Sequence, residues 1–156
     1  MSFTSADVSI LPPSAAQFSR TGGVVIAGAG AAGLCAALAA REAGADVIVL
    51  ERDRETRGTT AMSIGFIPAA PTRFQRAKGI ADTAEDLAAD ILAKNAGKTD
   101  RAMVARLCAA SAETVEWLVD RWGVPLDVSE HDQYPGHRKP RMHGTPHRTG
   151  AELMSA

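Results

Sequence analysis

Residues 24–53 read VVIAGAGAAGLCAALAAREAGADVIVLERD. Val24 to Ala27 is a short unbroken apolar run, the pattern of a strand covered on both faces. Ala31 to Ala43 is rich in alanine and leucine and reads as a helix that Gly44 ends. Val47 to Leu50 is a second apolar run, closed by Glu51. Strand, helix and strand at this spacing make a compact βαβ unit with a right-handed crossover.

The turn between the first strand and the helix carries Gly28, Gly30 and Gly33 in the pattern G-x-G-x-x-G. Each glycine has a physical task. Gly28 permits the tight turn, Gly30 lets a pyrophosphate approach the backbone, and Gly33, with Ala37, lets helix and sheet pack closely. The helix start, at Ala31 and Ala32, points free N–H groups and a positive dipole end at the phosphates. Glu51 would accept hydrogen bonds from a ribose 2′-hydroxyl and repel a 2′-phosphate, with Arg52 beside it. These features predict a dinucleotide site in an α/β fold, a Rossmann-like FAD/NAD(P)-binding βαβ unit followed by helices, in an incomplete doubly wound domain. A Walker phosphate loop is excluded, because no Gly-Lys-Ser/Thr follows the turn.

The rest of the chain divides into a leader at residues 1–22, which mixes Pro, Ser and Gly without a sustained period, and a long stretch at 52–81 that reads as a binding loop. Asp82 is expected to open a helix, with Glu85 as its capping-box partner. Leu87, Ala88, Ile91 and Leu92 form its apolar face and Gly97 closes it. A longer helix is predicted from Asp100 to Trp122, with an apolar stripe of Met103, Leu107, Ser111, Val115, Leu118 and Trp122. Gly123 and Pro125 stop it. Val124 to Val128 reads as a strand, and a last helix begins near Thr149. Trp117 and Trp122 are read as core or interface residues, not flavin-stacking groups.

The stretch after Glu51, ERDRETRGTTAMSIGFIPAAPT, resembles the fumarate reductase/succinate dehydrogenase flavoprotein family, which includes 3-ketosteroid dehydrogenases and tricarballylate dehydrogenase. The likeness continues through GIADTAEDLAADI, SAETVEWLVDRWGVPLDV and RMHGTPHRTGAELM, and covers about residue 23 to the end. It implies FAD rather than NAD. It places Gly58, Thr59, Thr60, Ser63 and Gly65 where the family cradles the flavin. Some relatives attach FAD through a histidine at the position of Thr59, so the resemblance implies non-covalent FAD. Arg57 and Phe66 stand where the family commonly has glycine. The implied chemistry is hydride transfer at a C–C/C=C bond next to a carboxylate or carbonyl. The implied organisation is a leader (1–22), the FAD-binding βαβ unit with its flavin loop (23–81), and a helical segment that starts the substrate side (82–156). Family members are much longer, which leads us to expect an N-terminal portion, with the main catalytic residues elsewhere.

All four histidines (His131, His137, His143, His147) lie in one basic segment with Arg138, Lys139, Arg141 and Arg148. That segment reads either as a solvated loop or as a cationic wall facing an anionic substrate, with Arg141 and His143 as candidate catalytic residues. Pro146 breaks the His143/His147 helical spacing, so no metal is expected. A net charge of −1 gives no reason to expect nucleic acid or a membrane surface as a partner. The expected partner is a small molecule, an anion or a ketone. No apolar run approaches the ~18 residues of a membrane span, and no signal peptide is read at the start, so a cytoplasmic location is the default expectation. Cys35 and Cys108 are expected as free thiols. Two alternatives stand beside this reading: an NAD-dependent dehydrogenase, and a non-catalytic interaction module whose sheet edge pairs with another chain, forming an oligomer.

Overall fold

The computed structural model describes residues 12–54 and 58–156. Most of the expected leader (1–11) and Arg57 lie outside them; Pro13–Ala15 forms a single 3-10 turn. Strand β1 (Val24–Ala27), helix α1 (Ala31–Glu42) and strand β2 (Val47–Leu50) form the βαβ unit. The strands run parallel, with Val24 opposite Val47 and Ala27 opposite Leu50. Helix α1 covers the Ile26 face, because a Cβ at Gly33 would lie 3.4 Å from Ile26 Cγ2. The expectation of strands covered on both faces does not hold among the described residues: Val25 is 58% exposed and Leu50 56%. Their apolar character is that of a two-sided strand, yet only one side has a helix packed on it.

The described part of the stretch at 52–81, residues 52–54 and 58–81, holds more secondary structure than its composition implied. It contains α2 (Thr59–Met62), β3 (Ile67–Pro68) and α3 (Arg73–Ala77). Helix α3 has a reciprocal capping box between Thr72 and Gln75, two short polar side chains that satisfy the first turn. Helix α4 (Ala84–Lys94) is capped by Thr83, whose hydroxyl accepts from Asp86 N–H at 3.0 Å. Asp82 is therefore not the cap; its carboxylate is engaged elsewhere. Helix α5 (Arg101–Trp122) starts at the Asp100 cap and ends at Gly123, whose φ of +72° is the left-handed closure that glycine favours.

The buried stripe of α5 is Val104, Cys108, Val115 and Leu118. Met103 (56% exposed) and Leu107 (64%) face outward, so the stripe lies one residue off the predicted one in its first two turns. Ser111 is shared by both readings, and its hydroxyl bonds to Ala70 N–H and Cys108 O. Strand β4 is only Asp127–Val128, because Pro125 lacks the N–H a ladder needs, and Val124 and Leu126 are buried in the core instead. Strand β5 (Met142–Gly144) lies between β3 and β4, both antiparallel to it. The chain ends in α6 (Gly150–Ser155), capped by Thr149.

Two apolar clusters hold these parts together. One joins Ala69, Val115, Leu118, Val124 and Leu126, with Trp117, Trp122 and Leu153 against it. The other joins Ala70 and Leu87 to Val104 and Cys108. Trp117 Nε1 donates to Glu42 at 2.7 Å, tying α5 to the end of α1. Cys35 and Cys108 are free thiols. Among the described residues no helix is long and apolar enough to cross a membrane.

Candidate cofactor site

The chain leaves β1 at Gly28, whose φ is +98°. Its N–H donates to Leu50 O at 2.7 Å, which pins the turn to the end of β2. A Cβ at Gly33 would stand 1.9 Å from Gly28 O, so helix and turn meet only because position 33 has no side chain. The helical ladder of α1 begins at Leu34, whose N–H donates to Gly30 O. Gly30 is the cap residue and has no side chain to offer the first turn. The N–H groups of Ala32 and Gly33 are thus beyond reach of any helical carbonyl and available to an anion. Ala31 N–H meets Thr60 Oγ1 at 3.3 Å.

Glu51 turns its carboxylate to the mouth of this turn. Its Oε2 accepts from Ala29 N–H at 2.8 Å and its Oε1 from Asp53 N–H at 3.1 Å. The Ala29 N–H first, then that of Asp53, hold the Glu51 carboxyl below the usual range. The group is therefore anionic at neutral pH. Arg52 reaches Asp53 through its guanidinium at 3.3 and 3.4 Å.

The second loop comes to the same place. Gly58 caps α2, and Thr59 beside it is exposed. The Thr60 hydroxyl reaches α1, so α2 and the glycine turn are in contact. The Ser63 hydroxyl donates to Thr60 O at 2.7 Å and accepts from Gly65 N–H at 3.0 Å. Gly65 is buried at a φ of +68°. Phe66 lies on β5: a Cβ at Gly144 would be 2.6 Å from its ring. Beside this loop a cavity of about 280 Å³ is lined by Ser63, Ile64, Phe66, Pro68, Tyr134 and His137.

The basic segment is in part an exposed loop, at residues 130–136 and 146–149, but its cations are ion-paired and do not form a free wall. Arg141 is fully buried, with Nε 2.6 Å from Asp82 and Nη1 bonded to Asp90. Arg138 bonds to Asp90 and Asp86, Lys139 to Asp86 at 2.7 Å, and Arg148 to Asp132 at 2.6 Å. His143 is fully buried on β5. Its Nδ1 lies 2.9 Å from Arg141 O, which can only accept, so Nδ1 carries the proton and Nε2 accepts from the Thr72 hydroxyl at 2.8 Å. Burial pushes the His143 imidazolium pKa down and keeps the ring neutral. Neither Arg141 nor His143 is brought to the glycine turn by these contacts. The sequence reading took Asp82 for a helix start and missed the pairing of Asp82, Asp86 and Asp90, which recur every four residues, with Arg138, Lys139 and Arg141.

Residues 23–155 match the FAD binding domain family. The chain belongs to that family. This FAD-binding domain is similar to the NADH:fumarate oxidoreductase of Klebsiella pneumoniae, 37% identical over 67% of the chain and 11% of the relative. It is 38% identical to the digoxin reductase of Eggerthella lenta over 62% of the chain and 18% of that protein. Among solved structures it superposes on the open conformation of a flavocytochrome c3 fumarate reductase with a TM-score of 0.77 at 30% identity, covering 88% of this chain and 24% of that one. It superposes on 3-ketosteroid-delta4-(5alpha)-dehydrogenase from Rhodococcus jostii RHA1 with a TM-score of 0.73 at 29% identity, over 90% of this chain and 35% of that one. The domain spans between a tenth and about a third of the length of these relatives. The resemblance read from residues 23 to the end is therefore shown at the level of the family, and FAD as its cofactor with it.

Proposed function

We propose that this chain supplies the FAD-binding part of a flavin-dependent oxidoreductase acting on a C–C/C=C bond next to a carboxylate or carbonyl. The observation that carries the reading is the Glu51 carboxylate at the mouth of an α1 turn that Gly33 alone allows to close. The residues fit the cofactor: the turn has open space over Gly28, free N–H groups at Ala32 and Gly33, and an anionic sugar acceptor in Glu51.

In this reading Gly28, Gly30, Ala31, Ala32 and Gly33 bind the pyrophosphate and Glu51, beside Arg52, binds the ribose. Gly58, Thr59, Thr60, Ser63 and Gly65 approach the flavin side. When bound, the flavin supplies a hydride acceptor and donor. Attachment is non-covalent, since residues 58–65 offer no histidine, cysteine or tyrosine. Residues 23–81 hold the cofactor and 82–156 shape the substrate side. The substrate is a small anion or ketone. Support comes from relatives named for fumarate, digoxin and urocanate, and from the dehydrogenase solved with 4-androstene-3,17-dione. The free thiols accord with a cytoplasmic setting.

The purified chain, mixed with FAD and passed through gel filtration, is expected to keep absorption bands near roughly 370 and 450 nm. A colourless protein whose melting point responds to NADH and not to FAD would overturn the proposal. Glu51→Gln is expected to weaken FAD binding by roughly tenfold or more, read by quenching of flavin fluorescence. The pH dependence has a definite sign. The Glu51 carboxyl lies below its ordinary value, so it stays ionised through the acid range where a free glutamate would protonate, and its contribution to binding fades only as pH falls through the lowered value. Glu51→Gln should bind FAD weakly without that acid-side fall.

A further inference from the structure

Helix α6 meets the flavin loop through two positions that admit no side chain. A Cβ at Gly150 would lie 1.8 Å from Thr60 O, 2.8 Å from Ser63 Oγ and 2.9 Å from Ser63 O. A Cβ at Gly65 would lie 2.5 Å from Thr149 O. Between these contacts Gly150 N–H donates to Ser63 O at 2.8 Å. The Ser63 hydroxyl, bonded to Thr60 O and Gly65 N–H, braces the loop from inside. On its other side α6 is anchored, since Leu153 packs on the Val115–Leu118 core. The α6 start is thus wedged between the protein core and the backbone of residues 60–65. Through Thr60 that backbone continues to the first N–H of α1.

From this geometry we infer that Gly150 is a positioning residue for the cofactor. The backbone contact between Gly150 and Ser63, with Gly65 interlocking, sets the height of the flavin loop over the glycine turn. The inference rests on the FAD reading for its purpose, but the clamp itself does not. Gly150 is the first residue of a helix, where alanine is a better former than glycine. A merely helical role therefore makes Gly150→Ala neutral or stabilising, and the clamp makes it harmful. A methyl group 1.8 Å from a carbonyl oxygen must push α6 and the loop apart.

The test compares Gly150→Ala and Ser63→Ala with the unaltered chain by amide hydrogen exchange of residues 58–66, by FAD titration and by thermal unfolding. Gly150→Ala is expected to raise exchange of the loop amides at least tenfold and to weaken FAD binding by a similar factor. Ser63→Ala, which removes two hydrogen bonds and adds no bulk, should do the same more mildly, and it carries the test if Gly150→Ala does not fold. Unchanged loop exchange in both variants would overturn the clamp whether or not FAD binds. Faster exchange in a chain whose unaltered form takes no FAD would keep the clamp and remove the cofactor reading.

Discussion

In a Gly33→Val variant no flavin is expected to survive gel filtration. The β-carbon alone would sit 1.9 Å from Gly28 O, and the two methyl groups beyond it have Ile26 Cγ2 close by at 3.4 Å from that β-carbon. The obstacle is a backbone carbonyl, so no rotamer change relieves it. Either α1 tilts away from β1 or the turn flattens, and both remove the N–H groups of Ala32 and Gly33 from the position in which they are proposed to meet a phosphate. Each hydrogen bond to a charged group is worth about 1.5–3 kcal/mol, so loss of both weakens FAD binding at least a hundredfold. Overpacking of the unit costs a further ~1–3 kcal/mol of stability. Gly44→Ala is the matched control. Its φ of +83° also disfavours a side chain, but nothing lies within 4 Å of the added methyl group. It should lower the melting point slightly, by the roughly 1 kcal/mol of left-handed strain, and bind FAD like the unaltered chain. Equal loss of FAD in both variants would mean that Gly33 matters only for stability.

The contrast between positions 33 and 141 shows what a sequence can and cannot disclose. The βαβ unit was legible because its constraints are local. The strand, the glycine turn, the helix and the second strand follow one another within thirty residues, and each residue's task depends on near neighbours. Helix ends were legible for the same reason at Asp100, Gly123 and Thr149, where capping is settled by the next three or four residues. The Asp82 cap was misread because Thr83 competes for the same turn, and Arg141, 59 residues away, holds the aspartate. The first turns of α5 were misread because Met103/Leu107 and Val104/Cys108 have equal helical spacing. Only the partner helix α4 selects the second pair. The short strands β3 and β5 carry no periodic signal, being two or three residues each, and β4 was legible only as a longer run at 124–128. The pairing of Arg138, Lys139 and Arg141 was hidden because their partners are carboxylates 48 to 59 residues earlier in the chain.

Arg141→Met should cost about 3–5 kcal/mol of stability at neutral pH. The guanidinium is wholly buried between two carboxylates that are themselves nearly so, Asp82 at 0% and Asp90 at 4% side-chain exposure. Methionine fills most of the volume, so the loss comes from charge rather than from a cavity. Burial alone would raise the Asp90 carboxyl, but the Arg138 N–H and the two guanidiniums outweigh it and hold the group well below its usual value. Asp82 is lowered as well: burial raises it, and Arg141 together with Thr83 N–H overcomes that. Two carboxyls lowered in the folded state bind fewer protons than in the unfolded chain. Their stabilisation is complete above the unfolded value of about 4 and is lost as pH falls through the folded values. In Arg141→Met the Asp82 carboxyl loses the guanidinium that most lowers it, so burial pushes it upward against the remaining Thr83 N–H and Gln75 bonds. The gap in stability between the variant and the unaltered chain should therefore be widest near pH 7 and narrow toward pH 4, read as urea midpoints at a series of pH values. Adding Asp82→Asn to Arg141→Met should recover part of the loss at pH 7, because without the guanidinium the buried Asp82 charge keeps only the more distant Lys139 at 3.6 Å, and an amide is less costly to desolvate. An equal gap at both pH values, with no recovery in the double variant, would show that the guanidinium acts by packing alone.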